Sequence, residues 1–262
     1  MREPISEETF NARMTKGRDM LLFSKPLEIE AEYQSRMAEE GEYLNRCRKN
    51  GSEPVKADEY FSNLRERTLE DLNNYLSDLA HKTKSFPCRH ALNLKTAMDG
   101  NHPQWRIKFD GILERLGSGS IFILHGPRGT GKTQMAMAAA RHRAEVKNQS
   151  SYYIVLGDLF TEIKGTFKTG SNESEAGIID RLSCVSLLVL DECHEISGTE
   201  WQGRILTLLI DARYRERLDT VLITNQTPES FITSVGESVA DRIAECGYFI
   251  ECNWPSFRRA RT

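Results

Sequence analysis

No apolar run in this chain of 262 residues approaches the ~20 that a bilayer-spanning helix requires, so no membrane segment is expected. The six cysteines (Cys47, Cys88, Cys184, Cys193, Cys246 and Cys252) are scattered and include no C-x-x-C pair. That spacing argues against a disulfide framework and suits reduced thiols in a cytoplasmic protein. An excess of one charge is also missing. With 35 basic and 38 acidic residues the formal net charge is −3, which gives no global field toward nucleic acid and leaves only local basic surfaces open. The first eight residues, Met-Arg-Glu-Pro-Ile-Ser-Glu-Glu, are too polar and acidic for a secretory signal. Internal repeats and low-complexity tracts are absent.

The first hundred residues are polar, charge-mixed and poor in β-branched runs. From Pro26 the sequence reads as a helix that ends near Gly51, and Ser52-Glu-Pro54 breaks it. A second helix is expected from Thr68, taken as its N-cap, with Leu69, Leu72, Tyr75, Leu76 and Leu79 at helical spacing. That stripe fits packing inside a small helical domain; a face that docks on a partner is the competing reading. His81, Cys88, His90 and His102 contain only one close pair, Cys88-x-His90, too loose a set for a structural zinc site. A further helix runs to Leu116, and Gly117-Ser-Gly-Ser120 reads as a flexible joint before the first strand. The domain boundary is expected near residue 100, with a helical domain over 1–100 and a nucleotide-binding domain over 101–262.

The most informative stretch begins at Ser120. Ile121 to Leu124 is a short apolar run that reads as a buried strand. Gly126-Pro127-Arg128-Gly129-Thr130-Gly131-Lys132-Thr133 follows, and then an Ala-rich helical segment. Strand, glycine loop and helix in that order are the context a P-loop needs. The glycines let successive backbone N–H groups turn inward toward phosphate, and the helix N-terminus faces the same anion. Lys132 is placed to reach the β and γ phosphates of ATP, and the Thr133 hydroxyl to ligate Mg2+.

Leu187-Leu-Val-Leu-Asp191-Glu192 reads as the Walker B strand, which delivers Asp191 to the metal and Glu192 to the attacking water. Asp191-Glu-Cys-His194 also spells a helicase box, but too few residues follow the P-loop for the second domain those enzymes require. Asn225 ends a similar strand, where an amide can bond the water or the γ-phosphate; capping the next helix is the alternative. Arg242 suits a finger supplied to a neighbouring subunit, or else a helical pairing with Asp241. Strands alternating with helices through this half indicate an α/β fold, a parallel sheet covered on both faces.

The run from Leu190-Asp-Glu through Arg213-Tyr214, Thr224-Asn225 and Asp241-Arg242 resembles the DnaC/IstB branch of AAA+ ATPases over residues 105–258. The resemblance implies an AAA+ P-loop sheet flanked by helices, a small helical N-terminal domain and no C-terminal lid. It implies Arg242 as the finger in trans and Arg258 as a second nucleotide-sensing arginine. It also implies single-stranded DNA against Phe160, Lys164, Phe167 and Lys168, and self-association into an ATP-dependent ring or spiral. The function implied is loading of a hexameric replicative helicase; an ATP-binding transposition helper is the alternative. A scaffold that uses nucleotide only to order a complex would have a crippled site, whereas Lys132, Asp191, Glu192 and Asn225 are all present.

Overall fold

In the computed structural model, residues 6–19, 25–51, 57–87, 103–168, 173–195 and 199–257 are described. The chain divides into two compact units, Met1–His81 and Lys82–Thr262. Residues 88–102, where the sequence places its boundary, lie outside the described residues.

The first unit is built from α1 (Glu7–Asp19), α2 (Lys25–Lys49) and α3 (Ala57–Lys82). Phe10 and Met14, one turn apart on α1, meet Tyr33 of α2 and Leu64, Leu69 and Leu72 of α3 in one buried cluster. The rings of Phe10 and Tyr33 have centroids 4.4 Å apart. Leu69 and Leu72 therefore serve packing. Thr68 is no N-cap: α3 starts eleven residues earlier, and the buried Thr68 hydroxyl donates to the Leu64 carbonyl one turn back (2.9 Å). A hydroxyl satisfied in this way is compatible with a helix interior, a use that local sequence does not distinguish from a cap.

The second unit contains α4 (Pro103–Leu113), β1 (Ile121–His125), α5 (Lys132–Lys147), β2 (Ser151–Val155), α6 (Leu156–Gly165), α7 (Glu175–Ser183) and β3 (Leu187–Asp191). It continues through α8 (Glu200–Arg215), β4 (Asp219–Ile223), α9 (Pro228–Val235), α10 (Glu237–Cys246) and β5 (Gly247–Glu251). The five strands form one parallel sheet in the order β2-β3-β4-β1-β5. Every residue of β1, β3 and β4 is buried, as expected for parallel strands covered on both faces.

Alternation along the strands sorts the side chains. Ile121, Ile123, Ile154, Leu188, Leu190 and Leu222 share a core with α6, α7, α8 and α10. The intervening positions, including Phe122, Leu124, Val189, Asp191 and Tyr153, belong to the opposite face. There α5 packs against β2, β3 and β4. The helix that delivers the P-loop and the strand that delivers Asp191 thus meet on one side of the sheet.

Gly117–Ser120 is not a flexible joint. The buried Asp219 carboxylate accepts the N–H groups of Gly117 (2.6 Å), Gly119 (3.0 Å) and Ser120 (3.0 Å). The buried Arg213 closes the same corner, donating to Thr220 Oγ1 (2.9 Å) and to the carbonyls of Leu182, Val185 and Asp219. α6 begins at Leu156, directly after β2, and α8 stops at Arg215.

Candidate functional site

The C-terminal ends of β1, β3 and β4 lie side by side, and the loops that leave them carry the expected chemistry. β1 runs into Gly126, where φ is +127° and a Cβ would lie 2.6 Å from the Cys252 carbonyl oxygen. Only glycine admits that approach. At Gly131 φ is +82° and a Cβ would strike the Phe257 ring at 2.8 Å. Gly131 is also the cap of α5 and brings no side chain to that end of the helix, which keeps the first N–H groups facing the loop.

Lys132 is buried, and its Nζ donates to the carbonyls of Gly126 (2.8 Å) and Pro127 (2.7 Å). Thr130 Oγ1 donates to the Pro127 carbonyl (3.0 Å), while Pro127 and Arg128 are exposed at the tip. Two indoles brace the loop from outside it. Trp254 Nε1 donates to the Thr130 carbonyl (2.8 Å), and Trp105 Nε1 to the Gly131 carbonyl (3.4 Å). The Phe257 N–H donates to the Gly129 carbonyl (2.9 Å). The segment after β5 is thereby laid along the P-loop, a relationship that no local motif announces.

Thr133 Oγ1 donates to Asp191 Oδ2 over 2.8 Å, the pairing expected of a Walker A hydroxyl and a Walker B carboxylate. The Tyr153 hydroxyl donates to the same oxygen (3.0 Å), and the Glu192 N–H to Asp191 Oδ1 (2.7 Å). Burial, and then the Asp191 charge, push the Tyr153 hydroxyl well above the usual tyrosine range, so it stays protonated and donates. Sequence reading missed Tyr153. The signal was its place in β2: with Val155 opposite Asp191 in the β2–β3 register, alternation sets Tyr153 on the Asp191 face.

Glu192 is exposed and has φ +57°, a left-handed conformation that a glutamate adopts only where its surroundings hold it. Asn225 is exposed at the end of β4, one residue beyond Thr224, whose N–H still pairs with the Leu124 carbonyl of β1 (3.0 Å). The cap of α9 is Thr227, whose hydroxyl accepts the Ser230 N–H (3.3 Å). Asn225 is therefore not consumed by capping.

His125, at the end of β1, has its pKa below the ordinary value, because burial opposes the charged ring and Glu251 only partly offsets it. Burial pushes the Cys252 thiol beside it up to about 12. Neither is poised as a nucleophile.

Arg242 lies on α10, on the other side of the sheet from α5. Its Nε is 3.2 Å from Asp211 Oδ1 of α8, and its guanidinium sits 5.3 Å over the Tyr214 ring. The expected helical partner Asp241 is thus replaced by Asp211. The side chain remains about one-third exposed, and α8 holds it at the surface rather than in its own P-loop. Arg258 lies outside the described residues, as do Cys88, His90 and His102. Among the described residues, no three or more His, Cys, Asp or Glu side chains converge as a metal cluster.

The expected DNA segment needs one correction. Phe160 is buried in the core against Trp201 (centroids 5.6 Å apart) and cannot stack on a base. Lys164 and Lys168 are exposed, and Phe167 is 63% exposed. Lys164 Nζ lies 5.2 Å over the Trp201 ring, and Phe167 meets that ring edge-on. Trp201, at the start of α8, completes a cation–aromatic surface that the linear segment did not show.

Residues 116–260 match the family model described as IstB-like ATP binding protein, more than half of the chain. The replicative helicase loader DnaC of Escherichia coli (strain K12) is 31% identical over 156 residues, which cover 59% of this chain and 60% of that protein. The loader of the same name from Buchnera aphidicola subsp. Acyrthosiphon pisum is 28% identical over 139 residues, covering 53% and 56%. The chain thus spans less than two thirds of these relatives' length. Among solved structures, the replication initiator DnaA bound to AMPPCP and single-stranded DNA superposes with TM-score 0.52 at 21% identity, covering 63% of this chain and 50% of that one. A DNA replication initiation factor gives 0.51 at 20% identity, covering 59% and 48%. At such identities the structures speak for the fold alone, a parallel sheet flanked by helices.

Proposed function

The chain belongs to the family of IstB-like ATP-binding proteins, and from that footing we propose that it is an ATPase that loads a hexameric replicative helicase onto single-stranded DNA. The observation that carries the ATPase is the meeting of Thr133 and Asp191 at the mouth of the P-loop, 2.8 Å apart, with Glu192 exposed beside them. The loader role draws support from the relatives named for that activity.

A hydroxyl and a carboxylate are hard oxygen donors, and Mg2+ takes one or two such ligands beside phosphate and water. Thr133 and Asp191 would hold it, and it would neutralise charge on the β and γ phosphates. Around it the chain's own groups divide the work. The amides at the start of α5 cradle the phosphates. Lys132 exchanges its two carbonyl partners for phosphate oxygen, a charge-assisted contact that strengthens as the leaving charge grows. Glu192, at the strand end, orients the attacking water, and Asn225 on the adjacent strand contacts that water or the γ-phosphate. Arg242, turned away from its own P-loop, serves the nucleotide of a neighbouring copy in a ring or spiral.

The helical unit 1–81 binds the helicase, and Lys164, Phe167, Lys168 and Trp201 suit backbone contact and stacking with single-stranded DNA. All of this fits a cytoplasmic protein; among the described residues no helix is long and apolar enough to cross a membrane.

The test is reconstitution. The full chain is mixed with the host's purified hexameric helicase, circular single-stranded DNA, ATP and Mg2+, and helicase retained on the circles is measured. ATP-dependent retention supports the loader. Binding of duplex DNA and recruitment of a transposase, with no helicase retained, would favour the alternative reading, an ATP-binding transposition helper.

A further inference from the structure

We infer that Tyr153 is a positioning residue for the metal-bound nucleotide, its hydroxyl fixing the Asp191 carboxylate in the one orientation that accepts a metal-bound water. The inference rests on the reading of Thr133 and Asp191 as the groups that hold Mg2+.

A carboxylate on a strand end is free to turn about its last torsion, and its two oxygens offer roughly four lone-pair directions. Here three donors occupy three of them. Thr133 of α5 and Tyr153 of β2 both donate to Oδ2, at 2.8 and 3.0 Å, and the Glu192 N–H donates to Oδ1 at 2.7 Å. Without the Tyr153 hydroxyl the carboxylate retains one side-chain donor and regains a rocking freedom. With it, both oxygens are set before any metal arrives, and one lone pair on Oδ1 remains for a coordinated water.

The donor is itself held. Tyr153 is the central residue of β2, in register with Val189 of β3, and its N–H donates to Ser85 Oγ (2.9 Å). The ring is half-buried on the α5 face, so the hydroxyl is delivered by a rigid strand rather than by a loop. Its neighbour Tyr152, on the opposite face, lies beneath the Arg181 guanidinium (5.4 Å) and takes no part in the site. A phenylalanine at 153 would keep the packing and remove only the donor. Groups that orient a ligand without touching the metal commonly change metal affinity by about 10–100-fold.

The test uses the full chain and a fluorescent ATP analogue, with affinity measured in EDTA and across a Mg2+ titration. Tyr153→Phe is expected to raise the Mg2+ concentration for half-maximal tightening by about tenfold. Affinity in EDTA and the metal-free thermal midpoint should stay at the parent values. Equal loss of affinity with and without metal would mean a merely structural tyrosine and overturn the inference. So would an unshifted Mg2+ titration in Tyr153→Phe alongside a shifted one in Asp191→Asn. If Asp191→Asn and Thr133→Ala also titrate like the parent, it is the metal assignment itself that fails, and the inference with it.

Discussion

The indole nitrogen of Trp254 donates to the carbonyl oxygen of Thr130 over 2.8 Å, so the segment that follows the last strand is bonded to the middle of the P-loop. Trp254→Phe keeps most of the buried ring and removes the donor. The loss should cost about 1 kcal/mol in the loop's preferred form, read as roughly fivefold weaker ATP binding. Isothermal titration of the variant checks this; unchanged affinity would mean the loop holds its shape without the indole.

Lys132→Ala should abolish tight nucleotide binding while leaving the fold intact. The ammonium bonds the loop carbonyls of Gly126 and Pro127, at 2.8 and 2.7 Å, and alanine is a good helix former at the start of α5. Circular dichroism would match the parent. ATP affinity equal to the parent's would remove the P-loop assignment.

Arg242→Ala should bind ATP normally and lose turnover and assembly. A finger in trans is commonly worth about 10³–10⁵ in rate, whereas a partly exposed pair with Asp211 is worth little. The two roles separate cleanly: a variant with parental hydrolysis and a slightly lower thermal midpoint would leave Arg242 as a clasp between α8 and α10.

Asp219→Ala should destabilise the second unit by at least about 3 kcal/mol. Three backbone N–H groups lose their acceptor, and Arg143, 3.7 Å away, loses its counter-charge in a buried site. The thermal midpoint should fall by about 6–12 °C. Asp219→Asn, which keeps one acceptor, should recover part of this.

Acidification should weaken the fold below about pH 6.5. His125 and His142 both have lowered pKa values, each chiefly through burial, with Lys147 and Arg143 adding to the effect at His142. A depressed histidine pKa means that the unfolded chain takes up the proton first, so stability is flat above the unfolded value and declines as pH falls past it. Thermal midpoints from pH 8 to 5 would show the bend, and His142→Gln should flatten it.

The site's legibility in the sequence followed how local its chemistry is. Gly126 to Thr133 and Leu187 to Glu192 carry their meaning within a few residues, and the structure brings Thr133 and Asp191 together as their order implied. Tyr153 was opaque because its role depends on which strand lies beside it and on a two-residue register. Asp219 was opaque for a similar reason: a carboxylate that opens β4 reveals nothing about three N–H groups a hundred positions earlier. Phe160 misled because an amphipathic segment shows the same alternation whether its aromatic faces the core or a base. Thr68 misled because one hydroxyl serves equally as a cap or as an interior bond.

The strand order has a consequence for how the protein comes into being. β1 is among the first strands of its unit to leave the ribosome, yet its neighbours are β4 and β5, with Ile121 opposite Thr220 on one side and Gly247 on the other. Until those late segments emerge, the P-loop's strand has no edge to pair with, and bringing such distant stretches together is the slow part of assembling a sheet. On this order β1 gains both of its neighbours only once β5 has been made.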